Sequence, residues 1–143
     1  MADEKRIWRI VPDTSVIIDG RLSARIRDGD FKGAEIIIPE AVVSELEAQA
    51  NKGREIGFKG LEELLELRKL AERDEILLQF SGVQPTLEEI KLSKEGRVDA
   101  LIRNTAIDAG GLFVSADRVQ SLIAKAKGRN VEYMPPKTLD PSE

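Results

Sequence analysis

Short, uniformly apolar runs separated by segments of helical periodicity constrain this fold more than any other feature of the chain. Residues 6–12 (RIWRIVP), 35–38 (EIII), 76–80 (ILLQF) and 112–115 (LFVS) have the length of strands. They lack the polar/apolar alternation of a half-solvated sheet, as strands covered by helices on both faces do. Pro39 stands where a helix should begin, since its fixed φ suits a first turn, and Ala41, Val42, Leu46 and Gln49 follow at helical spacing. Residues 61–72 (LEELLELRKLAE) predict an amphipathic helix with Leu61, Leu64, Leu65 and Leu67 in its apolar arc. Thr86 and Glu89 form a capping box ahead of another helix. Val98 to Ala109 is helical by spacing and is stopped by Gly110 and Gly111. Residues 118–127 predict a further helix and 131–133 (VEY) a short fifth strand.

This alternation predicts an α/β three-layer sandwich with a central parallel sheet of four to five strands. Right-handed crossovers should set strand one beside strand four. The 143 residues fit one domain, assigned to 1–134. Residues 135–143 hold three of the six prolines and read as a linker or tail leading to further domains.

The chain has no cysteine and no histidine. Disulfides, thiolate or imidazole zinc sites, and Ser-His-Asp or Cys-His catalysis are therefore excluded. Chemistry must come from carboxylates, hydroxyls, lysine, arginine or backbone. No apolar run approaches the ~18 residues of a membrane span, and no secretory pattern is visible, so a cytoplasmic location is expected. The formal charge is −4, from 22 basic and 26 acidic residues. A nucleic acid could be held only where basic residues concentrate. Arg21, Arg25, Arg27 and Lys32 form one such group, and Lys52, Arg54 and Lys59 another.

Sites in open parallel sheets lie at the carboxyl ends of the strands, where the strand order reverses. Asp13 directly follows the first strand (PDTS) and Asp117 the fourth (VSAD). Glu45 lies beside the apolar stripe of the helix after Pro39, and Asp99 in the first turn of the helix in GRVDALI. An acid near the core is costly unless paired or bound to a metal. Four such acids could satisfy one another only through cations, and oxygen-only ligation favours Mg²⁺ or Mn²⁺ over zinc.

The order and wording of these acids resemble the PIN domain. Asp13-Thr14-Ser15, the PxxxxxE run ending at Glu45, the Val98-Asp99-Ala100 helix start and the Ser115-Ala116-Asp117 turn carry the resemblance, which runs from about Ile7 to Tyr133. DTSVIIDGR, followed by the glycine-bearing basic segment 51–60, is similar to the subgroup in archaeal ATPases that carry PIN and KH domains. The resemblance implies metal-dependent phosphodiester hydrolysis, usually of RNA, and often self-association as a homo-oligomer. It carries the ligand role to Asp13, Glu45, Asp99 and Asp117. Ser115 stands where the family commonly has threonine, and Ser15 and Ser115 either serve as caps or orient a ligand water. Arg21, Arg25, Lys52 and Arg54 are the expected contacts to RNA or single-stranded nucleic acid. Asp19 is an extra acid without an assigned role.

Each residue also has a plainer reading. Asp13, Asp99 and Asp117 could cap or complement helix N-termini. Glu45 could be a solvated helix acid, the basic groups solvated faces, and Trp8 and Phe58 packing residues. At the level of the whole chain, a free-standing toxin ribonuclease and a non-catalytic PIN-fold module for oligomerisation or nucleic-acid binding compete. A phosphoacceptor receiver is disfavoured, because it should show paired acids after strand one.

Overall fold

The computed structural model describes residues 9–92 and 96–135, with the side chains of Glu89 and of residues 91–99 outside that description. Five strands, β1 (Arg9–Pro12), β2 (Glu35–Pro39), β3 (Leu77–Ser81), β4 (Leu112–Ser115) and β5 (Val131–Tyr133), form one sheet in the order β3-β2-β1-β4-β5. All pairings are parallel. The helices are α1 (Thr14–Asp19), α2 (Arg21–Arg27), α3 (Glu40–Asn51), α4 (Glu55–Glu72), α5 (Leu87–Leu92), α6 (Gly96–Ala109) and α7 (Arg118–Ala126). Strands one and four are neighbours, as expected, and the order reverses between them. The apolar runs of β1, β2 and β4 are buried because helices cover both faces: Ile10, Val11, Ile36, Ile37, Ile38, Phe113 and Val114 are all at most 2% exposed. The expected burial does not extend to the edge strand β3, where Leu77 and Phe80 are exposed.

Residues 6–8 of the expected first strand, Glu89 of the capping box, and the tail from residue 136 lie outside the described residues. Two short helices, α1 and α2, occupy DTSVIIDGR and the basic segment after it. They are joined by Gly20 at φ 75°, a left-handed conformation open to glycine, whose N–H returns to Val16 and Ile17 carbonyls.

The helix expected at 61–72 is the latter part of α4, which begins at Glu55. Gly57 and Gly60 hide its first turns in the sequence, yet both are buried against α3. A Cβ on Gly57 would stand 2.8 Å from Ala50 Cα, and one on Gly60 would enter the Leu46 side chain. The glycines let two helix backbones approach closely. Leu65 is 55% exposed and Phe58 46%, so the inward face runs instead through Gly57, Gly60, Glu63, Leu67 and Leu70.

Glu63 is a carboxylate in that interior, 5% exposed. It accepts from Ser23 N and Ser23 Oγ, each at 2.8 Å. Gly20, at the start of α2, has no side chain to cap that helix. Glu63 supplies the cap from α4, satisfying an N–H that would otherwise be orphaned. Burial raises its pKa above the ordinary 4.5, against the lowering effect of the two Ser23 hydrogen bonds.

The α3–α4 hairpin sets the shape around the carboxyl edge of the sheet. α3 leaves from that edge directly after β2, and α4 returns to the opposite edge, where β3 starts. The 18 residues of α4 span ~27 Å at 1.5 Å per residue. The five residues of β3 span ~17 Å. The hairpin tip at Lys52 and Arg54 therefore projects beyond the carboxyl edge.

Candidate functional site

Asp13 and Asp117 emerge from the carboxyl ends of β1 and β4, the adjacent strands at which the order reverses. Both begin helices: Asp13 accepts from Val16 N at 3.3 Å, and Asp117 Oδ1 accepts from Val119 N at 2.8 Å and Gln120 N at 3.2 Å. The capping reading thus holds for both residues. It does not exhaust them, because a carboxylate has about four acceptor positions.

Two serine hydroxyls staple the loops together. Ser115 Oγ donates to Asp13 Oδ2 at 2.5 Å and accepts from Asp117 N at 2.9 Å. Ser15 Oγ donates to Asp13 Oδ1 and accepts from Ala116 N at 2.9 Å. The backbone adds Asp13 N to Val114 O at 3.0 Å. Segments 13–15 and 115–117 are therefore fixed relative to each other, with Asp13 at the centre, 3% exposed. Burial pushes its pKa above the ordinary 3.8; the serine and Val16 hydrogen bonds oppose this, and the negative charge of Asp117 adds to it.

Glu45 comes from the second turn of α3 and is reached by Thr14, whose Oγ1 donates to Glu45 Oε1 at 2.5 Å. Thr14 is a positioning residue that the sequence reading passed over. Its signal was present as a hydroxyl directly after the motif aspartate. Asp99 lies on α6, but its side chain is outside the described residues. Among the described residues no three acids already stand together as a metal-binding group.

The expected basic contacts divide in two. Arg21 pairs with Asp19 and donates to the Met134 carbonyl at 3.2 Å and to that of Pro135. That pairing gives Asp19 a structural role, fastening the α1–α2 junction to the chain after β5. Arg25 pairs with Asp30 at 3.0 Å and with Glu132, and lies over the Phe31 ring, 4.6 Å from its centroid. Lys52 and Arg54 are exposed at the hairpin tip and make no ion pair among the described residues. Two clefts are lined by residues other than the candidate acids, one of them by Glu35, Gln79 and Asp108. The other, of about 300 Å³, runs between α3 and residues 84–90.

The site's donors are oxygen atoms, and Asp13 and Asp117 sit close together with no lysine or arginine paired to either among the described residues. Such a pair is suited to divalent cations. The PIN domain family model matches residues 10–126, from β1 to the end of α7.

The chain belongs to the PIN domain family. PIN domains are generally nucleases. This PIN domain is 49% identical over 126 residues to the KH and PIN-domain containing protein MJ1533 of Methanocaldococcus jannaschii. The match takes in 88% of this chain but only 20% of that protein, so the chain spans about a fifth of the curated relative's length. It is also similar to a solved structure, a domain of a functionally unknown protein from the same organism. The TM-score is 0.85 and the identity 46%, over 89% of this chain and 91% of that one. No helix among the described residues is long and apolar enough to cross a membrane.

Proposed function

We propose that this PIN domain is a metal-dependent nuclease that hydrolyses phosphodiester bonds of RNA or single-stranded nucleic acid. Asp13, Glu45, Asp99 and Asp117 would hold Mg²⁺ or Mn²⁺. The observation that carries this reading is Asp13 itself. It is a buried acid beside a second acid at the strand switch point, held by serine hydroxyls and, among the described residues, by no basic side chain. When bound, divalent cations polarise a phosphoryl group and offset the charge of the acids.

The chain's own groups set up the site. Ser15 and Ser115 orient Asp13, and Thr14 orients Glu45. Asp117 is held by the first turn of α7. Lys52 and Arg54, on the projecting hairpin, would track phosphates along the approach to the acids. Arg21 and Arg25 would have to exchange existing ion pairs to do the same, so their contribution is smaller. The similarity to a much longer protein with a KH domain in its name supports a place in a larger polypeptide beside a KH domain, over a free-standing toxin ribonuclease; an ATPase domain as a further partner rests on the wording of DTSVIIDGR alone.

The test is cleavage of single-stranded RNA and DNA in EDTA, Mg²⁺ and Mn²⁺ by the wild type and the Asp117→Asn variant. Cleavage should require metal and be lost in the variant. Cleavage that persists in EDTA, or in Asp117→Asn, rules out the carboxylate centre.

A further inference from the structure

β3 is one edge of the sheet, and its composition is unusual for an edge. Exposed edges are ordinarily protected by charges, proline, bulges or covering elements. Leu77–Ser81 (LLQFS) carries no charge. Leu77 is 58% exposed and Phe80 39%, and beyond the strand Val83 is 65% and Leu87 73% exposed. Leu77 N donates inward to Ala34 O of the neighbouring chain segment at 2.9 Å. Alternation along a strand then turns the N–H and C=O groups of Leu78 and Phe80 outward.

We propose that β3 pairs with β3 of a second copy of this chain, antiparallel about a two-fold axis through Gln79. Three features of the edge select that partner and that register. With Gln79 opposite its own copy, Leu78 faces Phe80 of the second copy, and Phe80 faces Leu78. Both are the outward-turned residues, so each pair exchanges two hydrogen bonds as an antiparallel ladder requires. The flanking charge is lopsided. Asp74 and Glu75 precede β3, while residues 82–85 (GVQP) after it are neutral. The two-fold arrangement lays each acidic end against a neutral end, whereas a parallel pairing would set acid on acid.

The third feature is a cleft. Gln79 and Ser81 share a face with Ile37, the register partner of Gln79 in β2, and with Glu35, the register partner of Leu77. Together with Thr105 and Asp108 of α6 they line a cleft of about 250 Å³. Leu77 projects on the same face and stands opposite Ser81 of the second copy, at the rim of that copy's cleft. Each exposed leucine thus meets a concavity. The axis is normal to the sheet, so the carboxyl edges of the two copies point in opposite directions. Each acid site stays open and complete within one chain, and the pairing stands whether or not the domain is a nuclease.

The test uses the absence of cysteine from the chain. Facing Cα atoms in a non-hydrogen-bonded antiparallel pair are about 4.5 Å apart, within the roughly 4.4–6.8 Å a disulfide spans. Gln79→Cys should therefore form a covalent dimer when oxidised glutathione takes the two thiols to a disulfide and is itself reduced. Leu77→Cys places its two sulfurs four strand positions apart, about 13 Å, and should stay monomeric. In sedimentation, Phe80→Lys should reduce the wild-type dimer to the 15.9 kDa chain. The proposal is overturned if folded Gln79→Cys does not cross-link, or if Leu77→Cys cross-links as fast. A wild-type monomer across the concentration series, or a dimer untouched by Phe80→Lys, overturns it equally and leaves the edge to a strand from another protein.

Discussion

Asp13→Asn should erase the thermal stabilisation that Mn²⁺ confers on the wild type while leaving the metal-free domain folded. Asparagine has nearly the shape of aspartate, and its carbonyl can still accept from Ser15 and Val16 as Oδ1 does now. What the metal-free variant loses is the ordinary acceptor for Ser115 Oγ, worth about 1 kcal/mol. Against this it sheds a charge that burial and Asp117 both disfavour. The two effects oppose each other, so melting in EDTA should move by no more than roughly 4 °C. The bound state differs. A ligand at a hundred times its dissociation constant stabilises the fold by about 2.7 kcal/mol. For a domain of this size that raises the melting temperature by roughly 5–10 °C. Wild type should show the full shift between EDTA and saturating Mn²⁺, and Asp13→Asn little or none. Lys52→Ala, altered at the hairpin tip, should shift as the wild type does. The measurement is thermal unfolding followed by circular dichroism. An equal Mn²⁺ shift in wild type and Asp13→Asn would mean that cations bind elsewhere and that the buried acid is only a helix cap.

Three other expectations rest on separate parts of the structure. Gly57→Ala should cost about 3 kcal/mol, because its Cβ meets the backbone of Ala50 and two helices must part; Gly60→Ala, which meets the Leu46 side chain, should cost less in the same denaturant titration. Glu63 has a folded pKa above its unfolded value, so the stability it contributes is complete below about pH 4.5 and is lost as pH rises through the folded pKa. Relative to Glu63→Gln, the wild type should therefore lose stability across that rise and then run level, and parallel curves would refute the assignment. Alanine at Lys52 or Arg54 should lower the salt dependence of single-stranded RNA binding by about one unit in slope, and unchanged slopes would make both ordinary surface residues.

The fold was legible where one physical requirement dominated the composition. Strands covered on both faces must be apolar throughout, and Ile36, Ile37 and Ile38 or Phe113 and Val114 could not be read otherwise. Legibility failed where a residue was chosen for contact rather than periodicity. Gly57 and Gly60 look like loop residues, yet they are the buried stripe of α4, because their lack of a Cβ admits α3. Leu65 and Phe58 look like core, yet they face solvent. Glu63 looks like a surface acid, yet it caps α2 across a tertiary contact between residues 40 positions apart. The basic segment after Asp19 read as one electropositive group, but Arg21, Arg25 and Arg27 each meet an acid supplied by the fold, among them Glu132 and Glu66 from distant elements. A list of charges carries no information about such pairings. The candidate site was legible to the extent that strand ends locate it. Asp13 and Asp117 follow adjacent strands, while the hydroxyls holding them were visible only as types, not as the bridges they form.

Those bridges explain how a helix interface far from the acids can govern the site. Ser15 and Ser115 lock the β1–α1 and β4–α7 loops to each other, so Asp13 and Asp117 move as one body with the sheet. Glu45 belongs to a different body. It rides on α3, and α3 is positioned by close packing against α4 at Gly57 and Gly60. The Thr14 hydroxyl bridges the two bodies, donating to Glu45 at 2.5 Å from the β1 side. A shift of α3 by a methyl group's width exceeds what a single hydrogen bond can follow, since such bonds weaken steeply beyond about 3.2 Å. Gly57→Ala should therefore draw Glu45 away from Asp13 and Asp117 even in molecules that remain folded. Thr14→Val should remove this hydrogen bond to Glu45 without disturbing helix packing. If both weaken Mn²⁺ binding but only Gly57→Ala lowers the metal-free melting temperature, the third carboxylate is set by the hairpin and tuned by the hydroxyl. If neither changes Mn²⁺ binding, Glu45 is no part of the centre and the acids of the sheet act without it.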